Sequence, residues 1–537
     1  MSAPGTVSLV EFQVATESGH VVLSPTPSND PNDPLNWKPW RKYVNYGLIT
    51  AMTVAAFTSK LSIQTVFWQQ MAVDLEVNLQ QLNNSNSTQL AGLAVGCIFF
   101  IPIAVKYGRR PVYVLSTAVL AALCWWTARI NTYAELVSAN FLVGLVGSIN
   151  ETTVQMTISD IFFVHQRGRA NALYFIAVMI GSFLCPMAAG AQAAAQGWRW
   201  PYYALAISFT VLAFVFGFFF EETKFVSSAA NIVADNGPVL DTMSSSPAET
   251  HYEDSKARSD EDGGKKCDDS AGLYPVASNA VAEMTIPLNT YRQRMRFWTP
   301  TSESLPKVFM APLAAIMFPH VIFTALQFAS IVSCLVLLLT MTSIIFAAPP
   351  YSFNTAGVGY MALGPCIGNI IGSLYGGPFS DWSVTRLARR NGGIFEPEMR
   401  LYIYIVPVIL MSGGIIMFGA TADRGLHWIY PSIGGACFAF GLGAGGDIAF
   451  TFVIDSYRDL VAEAFVGVAF LRNAISICIP LALVPWMKDV GITNVHILGG
   501  CISLFIGLLH IPMIIWGKKI RVALAPRYYR LVERLRE

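Results

Sequence analysis

Twelve long apolar runs decide which folds are open to this chain. A spanning helix needs about 20 residues to cross a hydrocarbon core of about 30 Å. The sequence predicts such helices near 43–68, 87–105, 112–130, 135–160, 170–194 and 202–220, then near 311–347, 355–378, 401–420, 428–455, 463–487 and 493–516. The seventh is overlong, and its inner start is expected to lie along the interface. Of the 537 residues, 54% are hydrophobic and only 13% charged, against about 25% in soluble domains. Mean hydropathy is +0.49. No single water-soluble globule hides that much apolar surface, and a net charge of +1 provides no basic face for nucleic acid. The fold class predicted is an all-α membrane protein, twelve transmembrane helices in two six-helix bundles.

The polar stretches set the boundaries. A cytoplasmic N-terminal tail covers 1–42, the first bundle 43–220, a linker 221–306, the second bundle 307–516 and a basic tail 517–537. The linker reads HYEDSKARSDEDGGKKCDDS in its middle and is too poor in apolar residues to fold alone, so disorder is expected there. The first 42 residues hold no apolar signal segment, so the first membrane helix is expected to serve as the targeting signal. The nine cysteines are scattered, with no CxxC and no His/Cys cluster, so neither a metal site nor a disulfide framework is indicated.

Charge orients the helices. The turns assigned to the cytoplasm carry Lys106, Arg109 and Arg110, then Arg167 and Arg169, then Arg386, Arg389, Arg390 and Arg400, then Arg458. The tail adds Lys518, Lys519 and Arg521. The opposite turns carry single charges, Arg129, Arg199, Arg424 and Lys488. This positive-inside pattern puts both termini of a multi-pass membrane protein in the cytoplasm; the plasma membrane is the expected location, with the vacuolar membrane left open. Trp37 and Trp40 among Lys38, Arg41 and Lys42 suggest an interface anchor. Two sequons, at Asn83 and Asn86, fall in the first outward loop and predict glycosylation; a third, at Asn150, falls inside a helix and is expected to be silent.

A few polar residues lie deep in the apolar runs. Glu151 is nine residues from Asp160 at the inner boundary, hence about 13 Å deeper, near the midplane. An acid there faces a cavity, takes a partner or stays protonated, and Gln155 shares its face. A substrate or proton role and a structural ion pair both fit. Asp447 is about 12 Å in from Asp455 by the same rise and is the approximate counterpart of Glu151. Lys60 and Gln64 share one face of the first helix; Lys60 either snorkels outward, pairs with Glu151 or holds an anionic substrate group. Arg472, nine residues into the eleventh helix, demands a partner, structural or functional. Gly364, Gly368, Gly372 and Gly376 recur every fourth residue, which suits a helix that slides against another or one packed tightly in place.

These motifs resemble the major facilitator superfamily, specifically the fungal twelve-helix drug:proton antiporters, over about 30–520. DPNDPLNW is similar to a segment found before the first helix in that branch. KYGRRPVY (106–113) resembles the end of the family's loop signature, with Ile101 and Val105 where the family has Gly and Asp. The second half keeps Gly377 and Asp381. The resemblance implies a cytoplasmic gate built from Gly108, Arg109, Arg110, Asp160, Gly377, Asp381 and Asp455. Gly181, Cys185, Pro186, Ala189 and Gly190 resemble the antiporter signature of the fifth helix and are expected to form a hinge, and GWRWPYY (197–203) also matches. Asn140 stands where the family usually has an Arg linked to proton coupling. ARRNGGIFEPEMRL (388–401) looks like the subgroup that includes polyamine and histidinol permeases.

What the resemblance implies is a monomeric secondary transporter that needs no cofactor. It would export a drug, toxin or secondary metabolite in exchange for protons, with Glu151, Gln155, Lys60, Gln64, Asp447 and Arg472 at the substrate and proton site. Its partners are then a small organic molecule, protons and the lipid bilayer. Uptake of an organic cation such as a polyamine is the alternative. A membrane receptor on the same scaffold is disfavoured by a tail of only 21 residues. No nucleophile signature or clustered His or Asp at a membrane boundary points to an enzyme.

Overall fold

The computed structural model describes residues 4–8, 30–58, 62–224, 288–299, 305–457 and 460–536. Among the described residues, twelve long helices, some in two segments, form two six-helix bundles. In the first, α1 runs Pro39–Phe57 and resumes as Ile63–Val66 and Trp68–Asp74. Then come α2 (Leu79–Tyr107), α3 (Arg109–Thr127), α4 (Tyr133–Gly147 and Ile149–Ile161), α5 (164–196) and α6 (Arg199–Phe219). In the second, α7 is Pro319–Ile345, α8 Thr355–Arg390, α9 Ile405–Asp423 and α10 Ile429–Ser456. α11 is Val461–Ser476 continued by Cys478–Val490, and α12 is Ile492–Leu508 continued by His510–Arg536. Among the described residues, nine of these helices are long and apolar enough to cross a membrane by length and composition alone.

Several boundaries differ from the sequence reading. α2 starts at Leu79 rather than near 87 because Asn78 and Gln81 form a capping box: Gln81 N donates to Asn78 Oδ1 (2.8 Å) and Asn78 N to Gln81 Oε1 (2.9 Å). Asn83 and Asn86 therefore sit inside a helix, fully buried, and not in an outward loop, so the expected glycosylation sites are sequestered in this fold. The silent sequon at Asn150 is likewise buried in α4. The overlong seventh run is two helices, Leu305–Ile316 and α7, with Pro319 opening the second. The basic tail continues α12 as helix.

The first described residues, 4–8, meet the last helix at Arg521, and the face they share is here called the terminal face; the other is the distal face. β1 (Val7–Ser8) pairs antiparallel with β2 (Ile394–Phe395), so part of the expected N-terminal tail is docked on the second bundle. Trp37 is buried and stacks on Arg41 at 4.4 Å, whereas Trp40 is exposed as an interface residue would be. The start of the expected linker is also structural. Glu221 pairs with Arg41, and Glu222 accepts from the Arg109 and Arg110 amides (2.9 and 3.1 Å), capping α3. Gly108, at φ +110°, makes that turn, and a Cβ there would lie 2.3 Å from Glu222 Oε2. The expectation of disorder over 225–287 lies outside the described residues.

The four spaced glycines of α8 pack on the backbone of α10. A Cβ at Gly364, Gly368, Gly372 or Gly376 would come within 2.7, 2.0, 2.2 or 2.8 Å of a carbonyl oxygen there (Ser432, Ala436, Phe440 and Ala444). Both helices belong to the same bundle, which favours tight packing in place over sliding between bundles. α5 and α8 each contain a π turn, Ile180–Leu184 and Tyr375–Phe379, beside Pro186 and at Pro378. A proline withholds one helical hydrogen bond, and the widened turn absorbs the misfit.

Candidate functional site

A cavity of about 220 Å³ lies between the bundles, walled by α1, α2, α4 and α5 on one side and α7, α8, α10 and α11 on the other. Its wall is mainly apolar and aromatic, with Phe57, Phe175, Phe183, Phe328, Phe450 and Phe465. Phe175 and Phe450 meet edge-on across the bundle interface at 5.6 Å, and Phe450 stacks on Phe465 at 4.1 Å.

Three of the predicted site residues line this cavity: Glu151, Asp447 and Arg472. Glu151, on the second segment of α4, accepts a hydrogen bond from Arg472 Nη2 of α11, an ion pair between bundles. Asn473 Nδ2 donates to the same carboxylate oxygen at 3.3 Å, and Arg472 Nε to Asn473 Oδ1 at 3.1 Å. The partner that Arg472 requires is thus the acid of the opposite bundle. Asn473 completes the triad, and sequence reasoning missed it; its signal was adjacency to a deep arginine.

Asp447 lines the cavity from α10 and is hydrogen-bonded by Ser373 of α8. It has no cationic partner among the described residues. The contact between Gly376 and α10 holds it in place, since a Cβ at Gly376 would lie 2.9 Å from Asp447 Cβ. Among the described residues, the cavity wall therefore carries one carboxylate paired with an arginine and one without a cationic partner.

The other three predicted residues are not seen on this wall. Gln64 does not line the cavity. It is buried in the first bundle, where its Nε2 donates to Ser85 Oγ and its Oε1 accepts from Asn140 Nδ2, both at 2.9 Å. Asn140, at the family's arginine position, thus joins a neutral amide network rather than the cavity wall. Lys60 lies outside the described residues, as does the side chain of Gln155.

Of the five residues expected to act as a hinge, Pro186 and Gly190 lie where α5 crosses the second bundle. Gly190 has Thr355 O and Gly359 Cα within 2.9 and 3.3 Å of a built Cβ, and Gly359 likewise abuts Pro186 O at 3.2 Å. Cys185 is half-buried and Ala189 buried beside them, while Gly181 packs on Val54 and Phe57 of α1.

The expected gate forms two ion-pair clusters on the terminal face. Arg109 Nε lies 3.1 Å from Asp160 Oδ2 in the first bundle. In the second, Arg400 bridges Asp381 (2.8 Å) and Asp455 (2.6 Å), a bridging role the sequence reading did not give it. Arg110 is not part of either cluster. Its guanidinium donates to Phe220 O (2.8 Å) and Gly217 O (2.7 Å), tying α3 to α6. Gly377 sits in the π turn with open space around a built Cβ. A further buried pair joins Arg521 to Glu398 through a two-pronged contact of 2.8 and 2.6 Å, with Thr6 and Pro4 on the same guanidinium. Burial pushes the Glu398 carboxyl up, but neighbouring His320 and the Arg521 fork outweigh it and hold it down at about 2.

The model of the Major Facilitator Superfamily matches residues 48–485. An uncharacterized transporter of this type from Schizosaccharomyces pombe is 30% identical, over 97% of this chain and 91% of its own. Protein HOL1 of Saccharomyces cerevisiae is 29% identical, over 96% and 92%. A protein of Candida glabrata named as a multidrug transporter is 25% identical, over 92% and 77%. Among solved structures, a peptide transporter superposes with a TM-score of 0.55 at 14% identity, over 91% of this chain and 95% of that one.

Proposed function

The chain belongs to the Major Facilitator Superfamily, and from that premise we propose that it is a proton-coupled transporter exporting a small organic compound by alternating access. The observation that carries this reading is Asp447, a carboxylate with no cationic partner among the described residues on the wall of an aromatic cavity. Such a wall suits a largely apolar solute, and the lone acid suits a basic group on it. Proton and solute compete for Asp447, which makes the exchange obligatory. The Glu151–Arg472 pair, spanning the bundles, registers the same event as a change in how the two halves are held together. The proton gradient supplies the free energy, and the protein works as a monomer in the plasma membrane with both termini cytoplasmic.

The relative named as a multidrug transporter supports export. Uptake of an organic cation is the second reading, favoured by the same unpaired acid, while Arg472 on the wall weighs against a solute with several positive charges. Preloaded cells decide between them. Efflux of a lipophilic amine that requires an inward proton gradient and is lost in Asp447→Asn supports export. Accumulation against a gradient in unloaded cells, with no stimulated efflux, overturns it.

A further inference from the structure

We propose that Asn83 and Asn86 form a second solute-binding site, on the distal side of the cavity, that takes the hydrogen-bonding head of the transported compound when the bundles part there. Residues 83, 86, 90, 93 and 97 recur at helical spacing along α2, all buried, and the stripe meets the second bundle at Asn83, Leu90, Leu93 and Cys97. Leu90 and Leu93 line the central cavity, and Cys97 lies 3.9 Å from Asn473 Nδ2 at the ion-pair triad. Asn83 is ten residues from Leu93 toward the distal face, about 15 Å by the helical rise. The stripe thus begins in amides and ends at the charged pair, with the cavity between.

The two amides are fully buried, Asn83 against α11, and poorly satisfied. Asn83 Nδ2 donates to Pro480 O, but its Oδ1 has no partner among the described residues, and neither polar atom of Asn86 has one. A buried amide left unpaired opposes the closed seam, whereas a separated seam exposes it to hydrogen-bonding groups. The same face is latched by other contacts between bundles: Ser343 Oγ donates to Thr65 O, Gln69 Nε2 to Ala347 O (3.0 Å) and Gln70 Nε2 to Thr355 Oγ1 (3.0 Å). When these release, the path from the cavity leads past Asn86 and then Asn83. Amide oxygens there accept from a primary ammonium or a hydroxyl, and they offer nothing to a quaternary ammonium.

The site rests on the central cavity being the transport site, and the test separates the two. Full-length Asn86→Cys and, reciprocally, Asn83→Cys are reconstituted in liposomes. A membrane-impermeant maleimide is applied to the distal face, and modification is read on the peptide carrying the cysteine. The probes are phenethylamine, a primary ammonium, and phenyltrimethylammonium, its quaternary counterpart. Both cysteines are expected to react, and saturating phenethylamine to slow the reaction at least about fivefold while the quaternary probe leaves it within about twofold. No reaction at either position, or equal protection by both probes or by neither, overturns the site. Protection that persists in an Asp447→Asn background which no longer transports leaves the distal site standing apart from the central one. Asp447-dependent transport without protection sinks the distal site and leaves the central reading intact.

Discussion

The carboxylate of Glu151 and the guanidinium of Arg472, 321 residues apart in sequence, meet across the interface of the two bundles. Each is mostly buried, so each is the other's compensation. Removing one side of such a pair costs about 3–5 kcal/mol, because the survivor is left charged in a poor solvent. Glu151→Gln and Arg472→Gln are therefore both expected to lower the melting temperature of the solubilised protein and to reduce transport at least about tenfold. The exchange Glu151→Arg with Arg472→Glu should recover much of the lost stability. Single variants that melt with the wild type would show that the pair does not hold the bundles together.

Asp447 gives the opposite signature. It has no ion pair to lose among the described residues, so Asp447→Asn is expected to change stability by no more than about 1 kcal/mol. Transport of basic solutes should nevertheless fall by about a hundredfold or more if the carboxylate is the coupling group. Equal loss for neutral and basic solutes would assign Asp447 to packing.

Two glycines of α8 provide a matched comparison. A Cβ at Gly368 would lie 2.0 Å from Ala436 O, whereas nothing lies within 4 Å of one at Gly377. Gly368→Ala is expected to destabilise by about 1–3 kcal/mol, as overpacking does, while Gly377→Ala stays within about 0.5 kcal/mol. Thermal unfolding of the two variants side by side checks this.

Glu398 sets a pH dependence on the terminal face. Its folded value, about 2, lies below the ordinary 4.5, so the folded state holds the proton more weakly than the unfolded one. Its contribution is therefore fully present above pH 4.5 and is lost as pH falls toward 2. Glu398→Gln should melt lower than the wild type by a constant margin between about pH 7 and pH 5, and the margin should shrink by about pH 3. A margin that grows on acidification would contradict the assignment.

The twelve helices were legible because apolar length is a local property. Glu151, Asp447 and Arg472 could be singled out too, since helical rise places each of them well inside an apolar run. Pairing was not: nothing in the sequence chooses Arg472 over Lys60 as the partner of Glu151, because that choice is made by which helices face each other between bundles. The same reason separates Gln64, which turns into the amide network of its own bundle, from the cavity. The start of α2 was available in the Asn78 and Gln81 capping pattern, but the run of polar residues after it resembled a loop. Only the burial of Asn83 and Asn86 shows that polar composition there belongs to an interface.

The glycine seam between α8 and α10 makes those two helices one lever. Measured from the close contact of Gly190 with Gly359, Gly376 lies 17 residues along it, an arm of about 26 Å. A tilt of about 10° at the crossing then swings the far end by about 5 Å, further than a hydrogen bond reaches. Asp447 is packed against that arm beside Gly376, so any such tilt would carry it along without a bend in its own helix.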